Sequence, residues 1–305
     1  MSGAIIGGAV VEAAVRPHAW RRLVMLSCVA LLMTGCSAVR FGYNHAPDLA
    51  YWWFDGYVDF KGEQSVRAHE AIDDWFQWHR RAELPVYAGL LAKAREQVIG
   101  PVTAEQACQW FEEANHRVDA ALERALPGVA EVARRLSPQQ LSHLERKYAD
   151  INEELADKYL QREPEARTQA QLKRALEPIE MIYGRISSSQ RERIAALALQ
   201  TPFDPVRWIA ERRRRQQDTL QTLTRLGTEQ ASAQQAVDAL RALVQRSRVS
   251  TKEDYRAYQQ RLIQFNCGFA AEVHNLTTPE QRRAAAEQLK DWEDDARALA
   301  AESRP

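Results

Sequence analysis

The chain has 305 residues, 45% hydrophobic, 27% charged and 8% aromatic, with 41 Lys and Arg against 41 Asp and Glu. That length holds one large or two ordinary domains, and the apolar content excludes a disordered or low-complexity chain. Balanced charge argues against nucleic acid as a partner, and four cysteines are too few for a disulfide scaffold.

Arg21 and Arg22 precede an apolar run over residues 23–35 that ends at Cys36. A membrane-spanning helix needs about 20 apolar residues and a secretory leader roughly 7–15, so the run predicts a cleaved signal peptide over residues 1–35. Met33-Thr34-Gly35-Cys36 resembles the lipobox of bacterial lipoproteins. The resemblance implies cleavage before Cys36 and acylation, palmitate included, of that residue. Ser37 in place of Asp then implies the periplasmic face of the outer membrane. Several acyl chains, at about 0.8 kcal/mol per buried CH₂, make a durable anchor. Without the leader the charge count becomes 38 basic to 40 acidic residues. Cys108 and Cys267 remain, either bridged in an oxidising compartment or buried as separate thiols.

The rest of the chain reads as an all-α, multi-helix antiparallel array or bundle. Residues 36–46 are expected as a tether and 47–305 as the helical domain, with a sub-boundary at 201–205. Apolar residues recur at three and four: Ile72, Trp75, Phe76, His79 and Leu84 form one stripe, and Leu141, Leu144, Tyr148, Ile151 and Leu155 another. Leu220, Leu223 and Leu226 continue the pattern, as do Ala239, Leu240 and Leu243. Helix starts are marked by capping boxes at Thr103–Gln106, Ser137–Gln140, Ser187–Gln190 and Thr278–Gln281, with a fifth expected at Ser250–Glu253. Asp204-Pro205 is a further start, with Pro at the first helical position. Ten prolines from Pro47 to Pro279 are expected to divide the helices, with kinks or breaks at Pro85 and Pro178. The interval between Pro205 and Pro279 is expected to hold the longest helices.

From Tyr43-Asn44, through the aromatic stretch over 51–60, to Trp75, Trp78-His79-Arg80 and Glu83-Leu84-Pro85, the sequence resembles a family of uncharacterised envelope lipoproteins from Gram-negative bacteria. That likeness implies an all-helical fold and an envelope address but no activity. The Leu-Ser-x-x-Gln and Val-Thr-x-x-Gln boxes also resemble the LTxxQ signature of small periplasmic helical chaperones. Their spacings of 34, 50 and 91 residues exclude a solenoid, and helix starting alone accounts for the pattern.

Positions 43, 51, 52, 53, 54, 57 and 60 are all aromatic. Packing into the helical core, with Asp55 and Asp59 outside, is the favoured reading of this block. The alternative is a binding surface formed by Tyr51, Trp52, Trp53, Tyr57, Trp75 and Trp78, since Trp and Tyr suit membrane interfaces and apolar partners. His69-Glu70-Ala71-Ile72-Asp73 lacks the second His of a zinc helix, and Glu113-x-x-His116 lacks the second copy that a di-iron bundle needs. His79, on an apolar stripe, reads as a buried, hydrogen-bonded histidine. No metal, cofactor or catalytic residue is therefore assigned. The four arginines from Arg212 to Arg215 read as a solvated helix surface with Glu211–Arg215 and Asp218–Arg214 pairs, or else as a contact for anionic headgroups. The sequence thus predicts a lipid-anchored, non-catalytic binding or chaperone-like protein with an envelope protein as partner. An envelope hydrolase and a direct lipid or lipopolysaccharide binder are the alternatives.

Overall fold

The computed structural model describes residues 35–161 and 163–302, with side chains from residue 38 onward. The leader expected ahead of Gly35 and the side chain of Cys36 lie outside the described residues. Among those described, every regular element is helical, as apolar spacing of three and four requires. Helix α1 is Gly35–Asn44, α2 is Ala46–Val58 and α3 is Glu63–Trp78; a π turn over His79–Glu83 leads into α4, Leu84–Gln97. Next come α5 (Ala104–Ala133), α6 (Pro138–Tyr159), α7 (Pro164–Tyr183) and α8 (Ser188–Ala198). The chain ends with α9 (Pro205–Thr228), α10 (Ala233–Arg248), α11 (Glu253–Asn275) and α12 (Pro279–Ala301).

Thr103, Ser137, Ser187 and Thr278 each accept the N3 amide while their Gln returns a bond to the cap amide. Asp204 caps α9 by accepting from the Val206 and Arg207 amides. The box expected at Ser250 does not form: α11 starts two residues later, and the buried Ser250 hydroxyl accepts the Lys252 amide instead. Ser232–Gln235 supplies a fifth box, at the start of α10, on the same pattern as the others.

Pro85 does end an α-helix, and it does so through the π turn, whose wider ring absorbs an amide missing from the ladder. Pro178 leaves α7 continuous, and Pro127 sits inside α5, which at 30 residues is longer than any helix between Pro205 and Pro279. Both prolines face solvent. Water can therefore serve the carbonyl each leaves without an amide. Burial of Leu126 and Ala130, or of Leu176 and Ile179, outweighs a cost of about 3 kcal/mol.

Two apolar cores result. Leu126, Ala130 and Ala133 of α5 meet Leu144 of α6, Leu223 and Leu226 of α9, and Leu240 and Leu243 of α10. Leu176 and Ile179 of α7 meet Ile194 of α8 and Val273 of α11, with Ile186 between them. Helix α5, roughly 45 Å long at 1.5 Å per residue, packs along α3, α10 and α11 and links the two regions. Near its start Cys108 is disulfide-bonded to Cys267 of α11, with Cα atoms 5.2 Å apart. The segment over 201–205 joins α8 of the second core to α9 of the first. Helix α12 lies along α4. Helix α5 passes α3 so closely at Gly128 that a Cβ there would stand 2.6 Å from the Ala71 Cβ.

Helix starts also pair across the fold. Gln140 donates from Nε2 to the Asp59 carbonyl (3.0 Å) and to Gln64 Oε1 (2.7 Å), while Gln64 donates to the Arg135 carbonyl (2.8 Å). In the second core Gln190 donates to the Leu276 carbonyl (2.9 Å) and to Gln281 Oε1 (2.7 Å), while Gln281 donates to the Arg185 carbonyl (2.8 Å). In both joints a glutamine oxygen closes its own helix start and its amide nitrogen satisfies a carbonyl just ahead of the partner helix. Gln64 does this from Lys61-Gly62-Glu63, with no hydroxyl cap.

Candidate functional site

The aromatic block divides. Leu49, Trp52, Trp53 and Gly56 fall at i, i+3, i+4 and i+7 on one face of α2. Trp52 is 74% exposed, Leu49 60% and Trp53 52%, with Phe54 alongside at 43%. The face continues onto α1, because the Leu49 amide bonds His45 and the His45 amide bonds Phe41, keeping the two helices nearly continuous. Exposed Phe41 packs on the His45 ring, centroids 4.2 Å apart.

The other aromatic candidates face inward. Tyr51 stacks on His69 at 3.5 Å, and Tyr57 packs on the first core beside Tyr148 at 6.4 Å. Trp75 donates to the Ala121 carbonyl (2.9 Å) and stacks on His79. Trp78 is half-buried, 6.0 Å from Trp75. The favoured reading of a core plug thus holds for Tyr57, while Tyr51 is half-buried against the exposed His69 and Trp52, Trp53 and Phe54 are exposed. Seven aromatics close in sequence cannot all share one helix face, since successive residues point about 100° apart. Of the two acidic residues, Asp59 is outside, with its carboxylate exposed and paired with Lys61, whereas Asp55 is half-buried. Asp55 Oδ1 accepts the Phe60 amide (2.9 Å), and Asp59, at φ 56°, ends α2 in the left-handed region.

A polar clasp fixes this segment to the bundle. Buried Arg80, in the π turn, donates to Asn44 Oδ1 (2.6 Å) and to the Leu299 carbonyl at the end of α12 (2.9 Å). Glu302 accepts from Asn44 (3.2 Å) and pairs with Arg40 (3.0 Å). The Asn44 hydrogen bond, with Arg40 and Arg80 beside it, holds the Glu302 carboxyl below its ordinary range. Tyr43 and His79 share a 2.9 Å hydrogen bond through Nδ1, and burial lowers the His79 pKa. Within the stretch over 36–46 that is expected as a tether, α1 runs to Asn44 and is held at Arg40, Tyr43 and Asn44. The π turn swings Arg80 and His79 to the same side, and sequence periodicity carries no signal for it.

The arginine run is paired. Arg214 donates to both Glu211 oxygens (2.9 and 2.8 Å) and Arg215 to one (3.0 Å). Arg212 donates to Asn152 (3.2 Å), leaving Arg213 as the exposed member. The expected Glu211–Arg215 pair forms. The expected Asp218–Arg214 pair forms as well, at 4.0 Å, and Asp218 also receives both bonds of Arg246 (2.9 Å each). Burial raises the Glu211 pKa, but the hydrogen bonds from Arg214 and Arg215 outweigh it and bring the carboxyl to about 2.

The remaining candidates for chemistry are spent on structure. His274, buried in α11, contacts Tyr183 Oη (2.8 Å) and the Gly100 carbonyl (2.7 Å) with its two ring nitrogens. His69 bonds the Ser65 carbonyl, and Glu113 pairs with Arg117. Among the described residues no group of three His, Cys, Asp or Glu side chains is placed to hold a metal, and no helix is long and apolar enough to cross a membrane.

These features define an all-helical, disulfide-bridged protein that leaves an apolar stripe open on its first two described helices. Residues 56–256 match the "Family of unknown function (DUF6279)", and the chain belongs to that family. The matched span holds the π turn and the arginine run, whereas residues 49–54 of the exposed stripe precede it. No curated protein and no solved structure matches the chain.

Proposed function

We propose that the protein is an outer-membrane lipoprotein of the periplasmic face, acylated at Cys36, with a non-catalytic binding or chaperone-like role in envelope maintenance. The observation that carries this reading is the stripe of Leu49, Trp52 and Trp53, exposed just beyond Cys36 and seated by the Arg80 clasp. Monomeric proteins rarely leave a contiguous apolar patch open without a use for it. The Cys108–Cys267 bond supports an oxidising compartment. Against the enzyme alternative, His79 and His274 are each committed to a tyrosine and desolvated.

The test is a photocrosslinking residue placed at Trp52 in living cells, with and without Trp53→Ala. Protein adducts that weaken with Trp53→Ala support the partner reading. Adducts to phospholipid alone support the second reading, in which the stripe itself lies in the headgroup layer, where Trp is favoured. A Cys36→Ala variant that still fractionates with the outer membrane overturns the anchoring.

A further inference from the structure

A second surface, remote in sequence from the stripe, has the chemistry of a ligand site. A groove of about 720 Å³ runs between α7 and α11 and is closed at one end by the chain from α8 to α9. That size falls in the range of small-molecule sites, which are mostly apolar with a few placed polar groups. Phe265 and Phe269 of α11, stacked 6.1 Å apart, line one wall with Leu262. Phe203 closes the end against Tyr159, ring centroids 6.0 Å apart.

The opposite wall is cationic. Arg167 and Arg174 lie seven residues apart on α7, two turns and ~10 Å along the same face. Arg174 is held over the Tyr159 ring, 4.5 Å from its centroid, a contact that engages the ring face and not the N–H donors in a hydrogen bond. Among the described residues neither arginine has a carboxylate in ion-pair range, although twenty-two ion pairs form elsewhere in the fold. The contrast with Arg214 and Arg215, both locked on Glu211, is the informative one.

We infer that this groove binds a single-chain anionic amphiphile. The acyl chain would lie against Phe203, Leu262, Phe265 and Phe269, and a carboxylate or phosphate head would meet Arg167 and Arg174. Charge complementarity selects this occupant: an uncharged or cationic amphiphile gains the same apolar contact but leaves the arginines unanswered or repelled. The inference stands apart from the stripe on α2, because no residue is shared.

Isothermal titration of the full mature chain below the micellar concentration tests it, using dodecanoate and dodecyl phosphate against dodecyltrimethylammonium and dodecyl maltoside. One saturable site for either or both anionic probes, and at least tenfold weaker binding of the other two, is the expected result. Carboxylate and phosphate arms then report which head is preferred. Arg167→Gln/Arg174→Gln should weaken anionic binding at least tenfold, and Thr168→Trp, which fills the groove from α7, should abolish it with unchanged circular dichroism. Trp52→Ala/Trp53→Ala should leave it unchanged. Binding indifferent to head charge, binding that survives both groove variants, or absence of binding by either anionic probe would overturn the assignment.

Discussion

Helices α2 and α9 each carry a run of one chemistry, aromatic in the first and guanidinium in the second, and the fold treats them in opposite ways. In α9 the run meets Glu211 and Asp218 of the same helix and Asn152 of α6, so that three of its four arginines are engaged within the protein. In α2 the inward positions find Phe60, His69 and Tyr148, while the outward positions Leu49, Trp52 and Trp53 find nothing that covers them. A run in a sequence announces surface chemistry only where the fold declines to answer it. Charge is answered cheaply by one buried carboxylate; three apolar side chains can be covered only by another element.

The largest expected effect lies in α9. Glu211→Leu strands Arg214 and Arg215 without their acceptor and should lower stability by about 3 kcal/mol, read as a denaturant midpoint. An unchanged midpoint would place Glu211 on a par with surface ion pairs. Acid should reproduce part of this. With a pKa of about 2 in the fold against 4.5 ordinarily, Glu211 binds its proton more readily when unfolded. Its contribution, on the order of 2 kcal/mol, is therefore present above about pH 5 and lost as pH falls toward 2. Glu211→Gln should flatten that part of the stability profile.

Smaller effects follow on the α2 side. Gly128→Ala drives a methyl into Ala71 of α3, the helix on which α2 rests, and should cost about 1–2 kcal/mol, with Ala71→Gly restoring part of it. The smallest effect sharpens the contrast most. Trp52→Ala/Trp53→Ala should change stability by less than about 0.5 kcal/mol while removing the crosslinks described above, because exposed side chains contribute little to the fold. A loss of several kcal/mol on that double substitution would mean the stripe is core.

Local features of this chain were legible and distant ones were not. The capping boxes at Thr103, Ser137, Ser187 and Thr278 could be read directly, since donor and acceptor lie three residues apart. Ser232 obeys the same rule and was as readable, whereas Ser250 fails it because its hydroxyl is buried in the turn before α11. The pairing of Gln190 with Gln281, or of Gln64 with Gln140, joins helix starts far apart in the chain, and no local rule reaches that distance. The same holds for the clasp, where Arg80 needs both the π turn and the far end of α12. In the aromatic block the three–four spacing separates Trp52 and Trp53 from Tyr51, so the division was latent in the sequence. Which half would be covered was not. The unanswered pair Arg167 and Arg174 carried no sequence signal, for it is defined by what lies across from it.

The bond between Cys108 and Cys267 spans a sequence separation of 159 residues. Tying points so remote removes a large share of the unfolded chain's freedom, about 5 kcal/mol by loop-closure entropy. A domain's whole margin is only about 5–15 kcal/mol. The same polypeptide would thus be robust where thiols are oxidised and brittle where glutathione keeps them reduced, so that its lifetime is governed by the electron economy of its surroundings as much as by its packing.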